Sequence, residues 1–239
     1  MCVRLFLISA LLLSISGWAS ASAITYDVTV NVSSISGTAG SLDFNFNPGP
    51  LVTQAASLQI LSFASDGTLV NCAANLQGFC PTGDVGGTLP GTLTFDNGTG
   101  FNDYFDDFTF GTTIFFDVSL YGPALSAPDG VSTSGSTFAF SMFSDAAGTI
   151  PVLTSDTADG FAFTLDVNLD GTTTVTNFSS QTNVQPVSSG VPEPGSFVLV
   201  GTSVFVAGAL TLLRELGMIS SLGVLRIKSG GATIRGHRV

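Results

Sequence analysis

From residue 24 to residue 191 the chain carries fifteen Asp and not one Lys, Arg, His or Glu. A body with a single sign of charge can form no salt bridge of its own. Its fold must rest on apolar burial and backbone hydrogen bonds, with self-repulsion relieved by salt or divalent cations. The same imbalance removes whole classes of function. Nucleic-acid binding needs cations against phosphates, and the body has none. Catalysis by a Ser-His or Cys-His pair needs an imidazole, yet the one histidine is His237, near the C-terminus. Zinc, copper and haem sites lose their usual ligand for the same reason.

What can fold under that constraint is a sheet protein. Tyr26, Val28, Val30 and Val32 alternate with Thr25, Asp27, Thr29 and Asn31, and Leu42, Phe44 and Phe46 alternate with Asp43, Asn45 and Asn47. Period-two alternation across a Gly-rich turn predicts two antiparallel strands joined as a hairpin. Further strands are expected over 56–64, at Leu93 and Phe95, over 113–121 and over 137–143. A last hairpin is expected from Phe161 to Phe178 about the Asp170-Gly171 turn. Some eight strands at regular spacing, without a helix in the body, predict an all-β fold. The expected form is a single antiparallel β-sandwich of the jelly-roll or immunoglobulin-like kind over 24–178, followed by a polar linker over 179–190.

Both ends carry addresses. Residues 1–23 have a basic start at Arg4, an apolar run to Trp18, and small residues at Ala19, Ala21 and Ala23. That is the layout of a secretory signal peptide removed by signal peptidase. Near the other end, residues 196–213 carry no charge and no Pro, and as a helix would span roughly 27 Å, close to a bilayer core. Arg214, Arg226, Lys228, Arg235 and Arg238 follow it, so the tail is expected in the cytoplasm and the body outside. Residues 215–239 then form a basic cytoplasmic extension.

Directly before the apolar run stands Val191-Pro192-Glu193-Pro194-Gly195. With the helix and Arg214, this resembles the PEP-CTERM sorting signal of Gram-negative bacteria over residues 191–214. The resemblance implies recognition of Pro192, Glu193, Pro194 and Arg214 by an exosortase, removal of the helix, and delivery to the cell surface or an exopolysaccharide matrix. The body is also similar to uncharacterised β-rich members of that group, through TYDVTVNVSSISGTAGSLDFNFNPG, FNDYFDDFTFGT and YGPALSAPDGVSTSGSTFAFSMF. That similarity implies export and a β-rich body and carries no activity.

Three candidate sites lie in the body. Cys72 and Cys80 bracket a short Gly/Asn-rich loop in a chain bound for an oxidising compartment, so a structural disulfide is expected between them. Asp103, Asp106 and Asp107 offer hard oxygen ligands for a calcium ion, the one cofactor the composition suggests. The competing expectation is that the Asp-Gly and Asn-Gly pairs serve only as turns. Tyr104 and Phe105 could stack on a sugar ring; the alternative is that Phe at alternating positions is core. No catalytic residue is expected. The leading reading is an exported, non-catalytic, structural or adhesive protein, with exopolysaccharide as the expected partner. Behind it stand a carbohydrate-binding module without enzymatic activity and an Asp-based glycoside hydrolase.

Overall fold

A computed structural model describes residues 23–70 and 80–187. Residues 1–22 of the expected signal peptide, the expected sorting motif at Pro192-Glu193-Pro194, the apolar segment 196–213 and the extension after Arg214 lie outside the described residues. No helix among the described residues is long and apolar enough to cross a membrane.

The described chain is all-β. Its strands are β1 (Ile24–Asn31), β2 (Ala39–Pro48), β3 (Ser57–Ser65), β4 (Thr68–Leu69), β5 (Val85–Gly86) and β6 (Leu93–Asp96). They continue with β7 (Asp103–Thr109), β8 (Thr113–Tyr121), β9 (Ser136–Phe143), β10 (Phe161–Val167), β11 (Thr173–Asn177) and β12 (Thr182–Pro186). A single helical turn, α1 (Pro123–Ser126), follows β8. Two six-stranded antiparallel sheets result. The first runs β12-β1-β8-β3-β6-β5 and the second β11-β10-β9-β2-β7-β4.

The alternation read from the sequence decides which side chains meet between the sheets. Leu42, Phe44 and Phe46 of β2 are fully buried, as are Phe138, Phe140 and Met142 of β9 and Val118 and Leu120 of β8. Phe44 is the hub. Its ring lies 5.0 Å from Phe140 in its own sheet and 5.3 Å from Phe116 in the opposite one, with Tyr104 and Phe63 beyond. Each such aromatic pair adds about 0.5–1.5 kcal/mol to its area burial. Phe at alternating positions is therefore core here, as one of the two expectations held.

The C-terminal hairpin forms as expected. β10 and β11 pair from Phe163↔Asn177 to Val167↔Thr173. The turn is closed by Asn168 O accepting from Gly171 N at 3.1 Å, and Gly171 adopts φ +82°, a conformation open to glycine at little cost. Segment 113–121 is indeed an inner strand, flanked by β1 and β3.

Two expectations are corrected. β1 and β2 are not a hairpin: β1 pairs with β8 and β12, whereas β2 pairs with β7 and β9 in the other sheet. A 3-10 turn at Ser33–Ile35 carries the chain from one sheet to the other. The polar stretch expected as a linker from residue 179 also contributes structure. Residues 182–186 are β12, an edge strand paired with β1 from Val30↔Thr182 to Tyr26↔Pro186, with Val184 buried against the core.

Candidate functional site

The region 101–108, from which three candidate ligands and two candidate sugar contacts were read, leads into β7 and supplies most of it. Its placement depends on one buried amide. Asn102 is fully buried, and its Nδ2 donates to Phe46 O and Thr99 O, both at 2.9 Å. Its Oδ1 accepts from Asp84 N at 2.8 Å, and its backbone N–H donates to Asn47 Oδ1 at 2.7 Å. These bonds lock the start of β7 against the end of β2, with Asn45↔Asp103 and Asp43↔Phe105 as register partners. On the far side of β7, Thr82 exchanges two backbone hydrogen bonds with Asp103, at 2.8 and 3.0 Å.

In a strand, successive side chains point to opposite faces. Tyr104, Asp106 and Phe108 face the core, while Asp103, Phe105 and Asp107 face outward. The proposed calcium trio of Asp103, Asp106 and Asp107 is thus split across the sheet. Among the described residues no three acidic side chains gather where they could hold a metal ion. The sugar platform is corrected as well: Tyr104 is fully buried and Phe105 is 8% exposed, so neither ring presents a face to a ligand.

Inside the core, Tyr104 Oη accepts from Leu89 N at 3.0 Å and donates to Asp106 Oδ2 at 3.3 Å. Asp106 is buried with its Oδ1 unpartnered. Burial raises its pKa to about 6, against the opposing hydrogen bond from Tyr104. Burial likewise raises the Tyr104 hydroxyl to about 12.

The outward face of the second sheet holds a different constellation, centred on β2. Asp43 stands between Ser141 of β9 and Phe105 of β7, and Asn45 between Ala139 and Asp103. Asn45 Nδ2 donates to Asp43 Oδ1 at 2.7 Å. Burial, then the hydrogen bond and the charge of Asp103, push the Asp43 carboxyl well above the usual carboxylate range. Burial raises Asp103 too. Four outward-facing oxygens in this patch are buried without a partner: Asn45 Oδ1, Asp103 Oδ1, Asp107 Oδ1 and Ser141 Oγ. Phe105 and Phe143, with ring centroids 6.4 Å apart, shield one side. The loop after β9 closes down there: a Cβ at Gly148 would lie 2.8 Å from the Phe105 ring.

Asp66, Asp129, Asp145, Asp156 and Asp170 instead accept backbone N–H bonds in turns and loops. Asp66 accepts from the Thr112 hydroxyl at 2.6 Å and from Thr113 N and Thr112 N at 3.0 and 2.7 Å, and those bonds, the hydroxyl's foremost, lower its pKa to about 2. Asp129, Asp145, Asp156 and Asp170 each accept backbone N–H bonds from residues two to five positions on. Asn97 closes a similar contact by accepting from Ala56 N at 2.9 Å. On the outward face of the first sheet, Asp27 lies directly across from Asp117, and Phe115 is 48% exposed among polar neighbours.

Cys80 is disulfide-bonded; Cys72, its expected partner, lies outside the described residues. Sequence reasoning missed Asp43, Asn45 and Ser141. The polar parity of Asp43 and Asn45 was visible, but only strand pairing brings Ser141 and Asp103 to them. No known protein family matches the chain, and no curated protein or solved structure matches it either.

Proposed function

We propose that this chain is an exported cell-surface or exopolysaccharide-matrix protein, sorted by an exosortase, whose two-sheet body acts structurally or adhesively without catalysis. One observation carries the reading. The Val187 N–H donates to Thr25 O at 2.8 Å, so the two ends of the body leave it side by side, at one pole. That arrangement suits a cargo held first by a signal peptide and then by a C-terminal membrane segment, because both exits can face the same membrane. β1 also begins at Ile24, directly after the expected leader, and β12 ends at Pro186, shortly before the Pro192-Glu193-Pro194 motif.

The strand order favours a jelly-roll build over an immunoglobulin-like one. Neighbours β1/β8, β3/β8 and β3/β6 in one sheet and β2/β7 with β4 in the other follow from rolling up one long hairpin. An immunoglobulin-like sandwich would keep β1 and β2 in one sheet.

Intact-mass measurement on protein recovered from its native host tests the proposal. The expected species starts after Ala21 or Ala23, ends near Pro194 and is found at the surface or in the matrix. Cytosolic protein with both ends intact overturns it. Deleting the gene should weaken biofilm cohesion.

A second reading, glycan binding without catalysis, draws support from the exposed Phe115 on a polar sheet face that also bears Asp117, Thr29 and Asn183. Binding on a glycan array that is lost in Phe115→Ala would favour it, and a silent array counts against it.

A further inference from the structure

We propose that β11 is a docking edge for a second copy of this chain. Two β11 strands pair antiparallel about Val175, so that the second sheet runs on from one copy into the other. β11 closes one end of that sheet, with β10 on one side and no strand on the other. Its ladder is fixed at both ends, where Asn168 N donates to Thr172 O and Phe178 N donates to Ala162 O. Antiparallel partners alternate between bonded and unbonded pairs. Thr174 and Thr176 therefore bond β10, while the N–H and C=O groups of Thr173, Val175 and Asn177 point away from it. The side chains of Thr174, Thr176 and Asn177 are exposed, and Val175 is only partly buried against the core.

An open edge is a template for another strand, and proteins blunt theirs with short strands, charge or Pro. The other edges among the described residues are blunted. β4 and β5 have two residues each. β12 ends in Pro186, which has no N–H, and its Thr182 N–H is taken by Ser179 O at 3.4 Å. β11 reads Thr-Thr-Val-Thr-Asn, with no charge and no Pro, and pairs with β10 without a bulge.

The strand's own sequence selects a second copy as the occupant. Centred on Val175, antiparallel pairing sets Val175 against Val175, Thr173 against Asn177 and Thr174 against Thr176. Cross-strand Thr pairs and β-branched contacts of this kind stabilise a sheet. Each facing pair of outward residues then exchanges both of its hydrogen bonds. Charge agrees with this register. Fifteen Asp make two bodies repel, so they can meet only along a neutral seam. Asp166 on β10 lies beside Thr174 of its own β11, and in line with them stand Thr176 and Thr164 of the second copy. No carboxylate faces another across the seam. At the far end of the sheet β4 is too short to take a strand, so association closes as a two-fold dimer. The pairing does not rest on the export reading.

The test uses the full-length chain in density-matched detergent, with Cys2→Ser to remove the thiol near the N-terminus, in sedimentation equilibrium over a range of protein concentrations. The mass should rise with concentration from one chain toward two and no further. Val175→Pro should hold it at one chain, because the N–H it removes takes no part in the β10 ladder. Where Val175→Pro fails to fold, cysteine pairing decides. Across the seam Thr174 and Thr176 form an unbonded pair with Cα atoms about 4.5 Å apart, within reach of a disulfide. A mixture of Thr174→Cys and Thr176→Cys chains should form linked dimers about fivefold faster than either chain alone. A single-chain mass at every concentration overturns the proposal. So does a rise unchanged in Val175→Pro, growth beyond two chains, or equal cross-linking of the mixed and separate chains.

Discussion

Tyr104 and Asp106 sit two residues apart on one strand, facing the same core, and the hydroxyl of the first donates to the carboxylate of the second at 3.3 Å. This is an acid buried among aromatic rings with no cation to pair with. Its pKa of about 6 stands above the ordinary 3.8 because burial penalises the charged form. The native state thus keeps a proton that the unfolded chain has already released. The stability this group contributes is full below about pH 4 and is lost as pH rises through about 6.

Asp106→Asn should remove that loss. The amide oxygen still accepts from Tyr104, and no charge needs desolvation. Denaturant melts at pH 4 and pH 7.5 should show the variant gaining on the wild type by on the order of 1 kcal/mol at the higher pH. Equal pH slopes for the two proteins would contradict the assignment.

Asn102→Ala should destabilise strongly. It strips the partners from Phe46 O, Thr99 O and Asp84 N in a buried setting. A loss of about 2–4 kcal/mol is expected in urea unfolding. A loss below about 0.5 kcal/mol would show that the register has other support.

Asp66→Ala should act at the opposite end of the pH scale. The carboxylate ties the turn after β3 to the start of β8 and is held at about 2. A lowered pKa contributes stability above about pH 4 that disappears as pH falls toward 2. The variant should melt a few degrees lower than the wild type at pH 6, and the gap should close by pH 2. A gap that persists at pH 2 would assign the effect to packing instead.

Val184→Asp tests whether residues 182–186 belong to the fold. Val184 is buried opposite Val28, and an Asp there would have neither water nor a counter-charge. A cost of about 2–4 kcal/mol is expected by thermal or denaturant melting. A linker would tolerate the change without a shift in midpoint.

Several elements were legible before any coordinates. β8 and the β10–β11 hairpin follow from clean alternation and a Gly turn, both local signals. β7 was not legible, because Asp-Tyr-Phe-Asp-Asp-Phe places aromatics and acids on both faces and breaks the alternation. β12 was missed because Thr-Asn-Val-Gln-Pro shows only one apolar residue. The Asp103, Asp106 and Asp107 spacing gathers side chains on a helix, whereas on a strand odd and even positions part company.

The residues by themselves determined the all-β class. Period-two patterning decides which side chains share a face, and a body lacking cations has to fold by apolar burial and backbone pairing. Only the tertiary structure decided that β1 and β2 enter different sheets, and that Asp43 takes Ser141, and Asn45 takes Asp103, as its cross-strand neighbour. Pleat parity is a local property of each strand. The choice of neighbour and register is made by contacts between residues up to about a hundred positions apart, to which alternation is blind.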